Sequence, residues 1–309
     1  MSKVGIASGV GGPISVLSSA TPLPGASIST HPNAPPPDPP TLAAFGLDAG
    51  AIPTPLPGGE GRTFLVDNTV LKLVHGERDV AAWAADLHAN IRANGFRLSR
   101  PLRTVDGGWL THDGWSAWTL LQGHHDVRGR FPECIAAITR YHEALRRYPY
   151  PTILDTIDNP WRRADRHAFG PRPATTHPAL ADQIDALYEM RRPITGLTNQ
   201  LIHGDLNPGN LLLALEPPPN GRPPGIIDIA PYWRPAGFAL AVFAYWIGPW
   251  YGTADPLAHF QHVDQLDQLL IRAALRMLLT SSQFAPDSGA IQDLERYTRA
   301  TEIILHTVR

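Results

Sequence analysis

Two polar residues in one short segment have the types and spacing needed for chemistry on a hydroxyl group. Residues 201–213 read LIHGDLNPGNLLL, so Asp205 follows a His-Gly pair and precedes Asn210 by five positions. The carboxylate can accept a proton from a hydroxyl, and the amide oxygen can ligate a hard cation. The alternative is a polar turn in which both residues act as caps. His203 is interpreted as a brace of this loop.

Two charged residues elsewhere in the chain complement this loop. Asp228 ends the apolar run at 225–227, and a proline-rich turn joins that run to the apolar end of the loop. If the two runs form one hairpin, Asp228 and Asn210 can face the same ion. Lys72 lies in the run TVLKLV, and Lys3 is the sole other lysine. A lysine on such a strand can reach phosphate oxygens, and a surface lysine at a strand edge is the alternative.

A glycine-rich turn precedes a predicted β-hairpin near the start of the folded region. The stretch PTPLPGGEGR at 53–62 is followed by TFLVDN and TVLKLV, two short β-branched runs separated by a turn at 67–68. Backbone N–H groups of Gly58, Gly59 and Gly61 could cover phosphate groups. An ordinary linker turn explains the same glycines equally well.

Apolar periodicity divides the rest of the chain into a strand-rich first part and a helix-rich second part. Short strands are predicted near 109–111 and 115–121. Helical spacing predicts helices over 78–94, 132–147, 160–168, 178–192, 237–247, 257–281 and 288–307. This order indicates an α+β fold with two lobes.

Composition excludes several classes of protein. The chain has 309 residues, a formal net charge of -2 and one cysteine, so a disulfide-stapled module and an overall basic nucleic-acid binder are excluded. No apolar run reaches the roughly 18 residues of a membrane span. These features predict a cytoplasmic protein without nucleic-acid or membrane partners. Residues 1–40 contain nine prolines and are predicted to form a disordered tail.

Taken together, these motifs resemble the aminoglycoside phosphotransferase/choline kinase-like enzymes, small-molecule kinases with the protein-kinase fold. The segment IIDIAPYWRPAGFALAV at 226–242 is similar to a bacterial phosphotransferase-like subgroup of that family. The resemblance implies a small β-rich N-lobe at 41–122 and a larger helical C-lobe at 123–309. It also implies ATP and Mg²⁺ as cofactors, with the nucleotide bound in the cleft between the lobes.

The resemblance also implies a role for each candidate residue. Asp205 would be the catalytic base, while Asn210 and Asp228 would ligate Mg²⁺. Lys72 would pair with the nucleotide phosphates. The remaining nucleotide contacts would come from the glycine turn and from the hinge, which comprises Leu120, Leu121 and Gln122.

Two features depart from the family pattern. The acidic partner of Lys72 is expected on the following helix, where Asp79 is favoured over Glu77 and Asp86. Relatives continue the Asp228 element with Gly-x-x-x-x-Asp, and the segment GFALAV at 237–242 lacks that Asp. Another residue is then expected to anchor the catalytic loop, and the alternatives are Tyr232, Trp233 and Arg234.

The predicted reaction is transfer of the γ-phosphoryl group of ATP to a hydroxyl of an antibiotic, a sugar or an amino alcohol. The alternative is a catalytically silent kinase-like scaffold, which the missing Asp and the proline-rich tail favour. A protein kinase is a weaker option because no activation segment follows Asp228. The oligomeric state stays open.

Overall fold

The structure, a computed structural model, describes residues 34–57, 61–74, 76–250, 252, 255–285 and 291–308. The strand-rich part contains α1 (Pro39–Ala44), β1 (Thr54–Pro55), β2 (Thr63–Val66), β3 (Thr69–Leu73), α2 (Arg78–Asn90), β4 (Arg97–Leu98), β5 (Pro101–Leu102) and β6 (Trp115–Thr119). The helical part contains α3 (Phe131–Leu145), α4 (Pro160–Phe169), α5 (Ala181–Met190), β7 (Asn199–His203), β8 (Leu211–Leu212), β9 (Gly225–Ile226), β10 (Pro231–Pro235), α6 (Ala236–Tyr245), α7 (Leu266–Phe284) and α8 (Leu294–Thr307).

A five-stranded antiparallel sheet presents Lys72 toward the helical part. Its strand order is β1-β2-β3-β6-β5, and the predicted hairpin is confirmed, with Lys72 on β3 opposite Thr63 on β2. Asp67 takes a φ of 53° at the turn, which aspartate tolerates better than most residues. Phe64 and Leu71 pack on the α1 side of the sheet. Because side chains alternate along a strand, Lys72 lies on the face opposite Leu71.

The first described element begins inside the predicted tail. Residues 1–33 of the predicted 1–40 tail lie outside the described residues. Helix α1 begins at Pro39, and the Asp38 side chain accepts a hydrogen bond from the Thr41 backbone N–H at 2.9 Å. Proline at the first helical positions is compatible with a helix because those N–H groups have no helical partner. The last two residues of the predicted tail, Pro39 and Pro40, therefore belong to a helix.

Several of the predicted helices have different bounds in the structure. Helix α2 was predicted to extend to residue 94 and ends at Asn90. Arg100 Nη1 donates to the carbonyls of His88 and Ile91, at 2.6 and 2.8 Å, which satisfies the last turn. The predicted helix 257–281 is a 3₁₀ turn at Pro256–Phe260 followed by α7.

The helical part is organised around α6, which is apolar on every side and fully covered. It packs against α3, α7 and β7. Strand β10 runs antiparallel to β7, with Pro231 opposite His203. This register places the start of β10 beside the end of β7. None of the described helices combines the length and apolar content that crossing a membrane requires.

The two parts meet at both ends of α2. Just after its C-terminal end, β4 pairs in parallel with β9, with Arg97 opposite Gly225. Residue Arg97 also donates to the carbonyls of Pro223, Gln122 and Leu212. We name this the strand tie. It places a segment of the predicted N-lobe within a three-stranded sheet of the helical part.

At the N-terminal end of α2 the contact between the parts is smaller. The Asn159 Nδ2 atom donates to Glu77 Oε1 at 3.0 Å. Beneath this hydrogen bond Val80 packs against Leu154 and Ile157. We name this set of residues the front contact.

Candidate active site

The predicted catalytic loop leaves the end of β7 and is closed on itself by Asn210. The Asn210 Nδ2 atom donates to the Asp205 backbone carbonyl at 2.6 Å and to Asp205 Oδ2 at 3.2 Å. Asn207 caps the 3₁₀ turn that follows by accepting the Gly209 N–H at 2.8 Å. Because Asn210 Nδ2 is used within the loop, Oδ1 is the atom of that amide able to ligate a cation.

His203 braces the loop from within, as predicted. Its Nε2 atom lies 3.1 Å from the Ile227 carbonyl, and its Nδ1 atom accepts the backbone N–H groups of Asp205 and Ala230 at 3.2 and 3.4 Å. This pattern requires the neutral ring with its proton on Nε2. Burial lowers the pKa of His203 to about 3, so the ring stays neutral near pH 7. It joins the catalytic loop to the segment around Asp228.

Asp205 has the electrostatic environment of a general base. Burial raises the pKa of its carboxyl above the ordinary value. The positive charge of Arg276 and hydrogen bonds from Asn207 and Asn210 act in the opposite direction. A carboxylate with a raised pKa is a better proton acceptor when it is ionised, which is what proton removal from a hydroxyl requires.

Lys72 and Asp228 are in direct contact, although they lie far apart in the sequence. Lys72 Nζ forms an ion pair with Asp228 Oδ1. Burial lowers the pKa of Lys72 to about 8. Asp228 has a φ of 53°, and the preceding Ile227 donates its N–H to the Asn210 carbonyl at 3.2 Å. The predicted β8–β9 hairpin is present. It brings the segment of Asp228 against Asn210, and Asn210 in turn contacts Asp205.

The partner of Lys72 differs from the expected one. Asp79 is exposed in the first turn of α2. Asp86, on the exposed side of the same helix, lies 3.9 Å from Arg103, which follows β5, and Glu77 belongs to the front contact. Helix α2 buries its apolar side, so its acidic residues face solvent. The ion pair of Lys72 with Asp228 crosses between the two parts instead.

Of the glycine turn, Gly58 and Gly59 lie outside the described residues. Gly61 is described directly before β2 and takes a φ of 71°, a conformation that glycine adopts without strain. Its carbonyl accepts the Ala34 N–H at 3.1 Å. The turn joins β1 to β2, beside the strand of Lys72, and phosphate contact by these glycines stays a prediction.

The predicted hinge residues follow β6. Leu120 donates its backbone N–H to the Asn68 carbonyl at 2.8 Å, and the Gln122 carbonyl accepts Arg97 Nη1 at 3.0 Å. Leu121 lies between them, and all three hinge residues line a cavity of about 570 Å³. Two backbone groups of the hinge are thus used by the protein itself. Adenine contact stays a prediction for the others.

Comparison with protein families identifies the class. Residues 53–230, more than half of the chain, match the model of the phosphotransferase enzyme family. The chain belongs to this family. No curated protein matches the sequence.

Solved structures of kinases share the fold of this phosphotransferase at low sequence identity. A microcompartment-associated aminopropanol kinase has a TM-score of 0.55 and 16% identity over 86% of this chain and 93% of its own. An amicoumacin kinase in complex with AMP-PNP and Ca²⁺ has a TM-score of 0.52 and 14% identity over 82% and 88%. An aminoglycoside phosphotransferase from Alicyclobacillus acidocaldarius has a TM-score of 0.54 and 15% identity over 91% and 98%. The predicted kinase-like α+β fold is confirmed.

In this phosphotransferase the loop anchor is partly the predicted one. Gly204 lies on the ring of Tyr232, where a Cβ atom would approach Cδ2 to 2.2 Å. Trp233 packs edge-on against Tyr150, and Arg234 pairs with a buried aspartate of α4. Of the three predicted anchors, Tyr232 is therefore the one that contacts the loop.

Arg276 is a loop contact that sequence reasoning missed. Its Nη2 atom donates to the carbonyl of Gly204, the residue before Asp205. The available signal was a cation inside the apolar run AALRMLL of a predicted helix. Nothing in the sequence indicates which of the distant segments that cation contacts.

Proposed function

We propose that this phosphotransferase transfers the γ-phosphoryl group of ATP, bound as its Mg²⁺ complex, to a hydroxyl of a small molecule. The observation that carries the proposal is the continuous set formed by four residues. Lys72 pairs with Asp228, the residue before Asp228 donates its N–H to the Asn210 carbonyl, and Asn210 holds Asp205. A cation, two oxygen ligands and a proton acceptor are the groups that phosphoryl transfer needs.

The donor set fits a hard divalent cation. Asn210 Oδ1 and the Asp228 carboxylate are oxygen ligands, and phosphate oxygens and water would complete the shell. When bound, Mg²⁺ neutralises charge on the phosphate oxygens. The left-handed backbone at Asp228 turns its carboxylate out of the strand, a conformation held by the surrounding hydrogen bonds.

Asp205 and Lys72 supply the remaining chemistry. The acceptor hydroxyl oxygen forms a bond to the γ-phosphorus, the bond from phosphorus to the β–γ bridging oxygen breaks, and the hydroxyl proton passes to an Asp205 carboxylate oxygen. Asn210 Nδ2 fixes the orientation of that carboxylate by donating a hydrogen bond to Asp205 Oδ2. Lys72 offers its ammonium group to the phosphates from the sheet side. Positioning and electrostatics account for most of the acceleration in such transfers.

The nature of the acceptor is proposed from the similar structures. They are named for kinases of aminopropanol, amicoumacin and aminoglycosides, which are small molecules. We therefore favour a hydroxyl-bearing small molecule, such as an antibiotic, a sugar or an amino alcohol, over a protein acceptor. The silent-scaffold alternative rests in part on the missing anchor Asp, and the hydrogen bond from Arg276 to the Gly204 carbonyl gives the loop another anchor, which favours the enzyme.

The test is phosphoryl transfer from Mg·ATP into a pooled library of hydroxyl compounds, detected by mass spectrometry. Hydrolysis of ATP is followed in parallel because water can replace the acceptor. We expect Asp205→Asn to lower both rates by on the order of 100-fold while nucleotide affinity changes little. Asp86→Asn, an exposed carboxylate of α2, is the matched control. Turnover that does not require Mg²⁺, or that Asp205→Asn leaves unchanged, would contradict the proposal.

A further inference from the structure

Arg276 is a buried arginine of α7 whose guanidinium group lies beneath the catalytic loop. The residue is 4% exposed. Its guanidinium carbon lies 5.2 Å from the ring centroid of Tyr232 and 5.1 Å from that of Phe238. The Nη2 atom donates to the Gly204 carbonyl. A guanidinium group is thus held between two aromatic rings with a backbone carbonyl as its hydrogen-bond partner.

We infer that Arg276 is a positioning residue for Asp205, acting through the peptide unit that joins Gly204 to Asp205. The inference rests on the proposed function, since it concerns the same catalytic carboxylate. It assigns to Arg276 the orientation of Asp205, and no contact with the nucleotide or with the acceptor.

Both polar atoms of this peptide unit are fixed by side chains. Its carbonyl oxygen, on Gly204, accepts from Arg276, and its N–H, on Asp205, donates to His203 Nδ1. The preceding N–H, on Gly204, donates to the Ala230 carbonyl at 2.8 Å. A peptide unit is planar, so holding both atoms fixes the plane from which the Asp205 side chain projects. Loss of one holder frees rotation of that plane.

The ring of Tyr232 makes this arrangement specific to arginine. Gly204 rests on the ring, and Arg162 stacks on it with the guanidinium carbon 3.8 Å from the centroid. A planar guanidinium can contact a ring and donate in its own plane at once, whereas an ammonium group has no such plane. The charge of Arg276 also favours the ionised form of Asp205.

Arg276 is buried with its charge incompletely paired, as is Arg272 on the same helix, whose buried Nε atom also has no hydrogen-bond partner among the described residues. No carboxylate is paired with the Arg276 guanidinium group among the described residues, and its buried Nη1 atom has no hydrogen-bond partner there. Burying a charged group with incomplete pairing is unfavourable.

The helix provides a matched control. Arg272, one turn earlier on α7, is equally buried at 4% exposure. It donates to the carbonyls of Gln268 and Arg192, away from the catalytic loop. Replacing either arginine by glutamine removes a buried guanidinium group from the same helix. The two variants differ in whether the catalytic loop loses a contact.

The experiment compares Arg276→Gln, Arg276→Lys and Arg272→Gln in the full chain. Mg²⁺-dependent ATP hydrolysis gives kcat and KM per folded molecule, and hydrogen exchange follows the backbone amides of 201–213. We expect Arg276→Gln to lower kcat by 10- to 100-fold with KM for ATP within about 2-fold, and to speed exchange in the loop. Arg276→Lys should recover part of kcat, and Arg272→Gln should keep both kcat and loop protection.

Equal effects of the two glutamine variants on kcat, or unchanged loop exchange in Arg276→Gln, would overturn the inference. If Arg276→Gln does not fold, Arg276→Lys decides, because a kcat equal to that of the unmodified chain would refute the requirement for a guanidinium group. Failure of the proposed function is recognised separately: the unmodified chain and Asp205→Asn would then hydrolyse ATP at the same rate.

Discussion

Three buried histidines should make this protein lose stability in mild acid. His88, His142 and His203 are 3%, 3% and 0% exposed. Burial lowers their pKa values to about 3, 4 and 3. They connect α2, α3 and β7 around the ring of Tyr141, with ring centroids 5.4 to 6.5 Å from it. The neutral ring is therefore part of the core of this region.

The hydrogen bonds of His142 and His203 require neutral rings. His142 Nδ1 lies 2.8 Å from the Ile138 carbonyl, and its Nε2 atom accepts the His203 backbone N–H at 3.1 Å. His203 Nδ1 likewise accepts from the N–H of Asp205. A second ring proton would place two N–H groups against each other in both cases. Protonation must therefore break the packing before it can occur.

The sign and size of the effect follow from proton linkage. Above pH 6.5 the three rings are neutral in the folded and unfolded chain, and their contribution to stability is complete. Below pH 6.5 the unfolded chain binds protons that the folded chain excludes, until the pH approaches the folded values of about 3 to 4. Each ring then removes about 1.4 kcal/mol per pH unit. The sum at pH 5 is roughly 6 kcal/mol, comparable with the whole stability of many domains.

The assay is chemical denaturation between pH 7.5 and pH 5, with the free energy of unfolding plotted against pH. His88→Phe keeps a ring beside Trp118 and Tyr141 and should reduce the slope by about one third. His306→Gln, at an exposed site on α8, should leave the slope unchanged. A free energy that stays constant over this range, or a slope that His88→Phe does not alter, would refute the reasoning.

Two further substitutions or reagents probe the loop and the core. Gly204→Ala would bring a Cβ atom to 2.2 Å from the Tyr232 ring, so we expect kcat for ATP hydrolysis to fall on the order of 100-fold. Gly50→Ala is the control and should leave kcat unchanged, because its Cβ atom would meet nothing closer than 3.5 Å. Equal activity of both variants would argue against the close contact. Burial raises the pKa of Cys134 to about 12, so maleimide should label this thiol only after unfolding, and rapid labelling of the folded chain would contradict its placement.

The sequence predicted what local chemistry determines. The alternation around Lys72 and the polar turn at 67–68 specified the β2–β3 hairpin. The spacing of Asp205 and Asn210 predicted one loop that carries both residues, and the apolar run before Asp228 predicted a strand paired with the end of that loop. In each case the decisive contacts lie within one loop or one hairpin.

Contacts between distant segments were not predictable in the same way. Strand β4 has two residues and forms because β9 offers backbone hydrogen-bond partners. Such a short strand has no apolar alternation by which the sequence could predict it. The partner of Lys72 depends on how the sheet sits on the helical part, whereas the family pattern and the place of Asp79 at the start of the following helix favoured Asp79. Arg276 contacts the loop through a packing of α7 against α4 and α6 that one sequence does not specify.

The two contacts around α2 differ in strength. The strand tie is made of ladder hydrogen bonds and the three donors of Arg97, whereas the front contact has one exposed hydrogen bond over a small apolar cluster. The strand tie is therefore the stronger of the two contacts. Asn159, in the front contact, also caps α4 by accepting a hydrogen bond from the Arg162 backbone N–H at 2.9 Å. Through Asn159 the front contact is therefore coupled to α4, the helix whose Arg162 stacks on the Tyr232 ring beneath the catalytic loop.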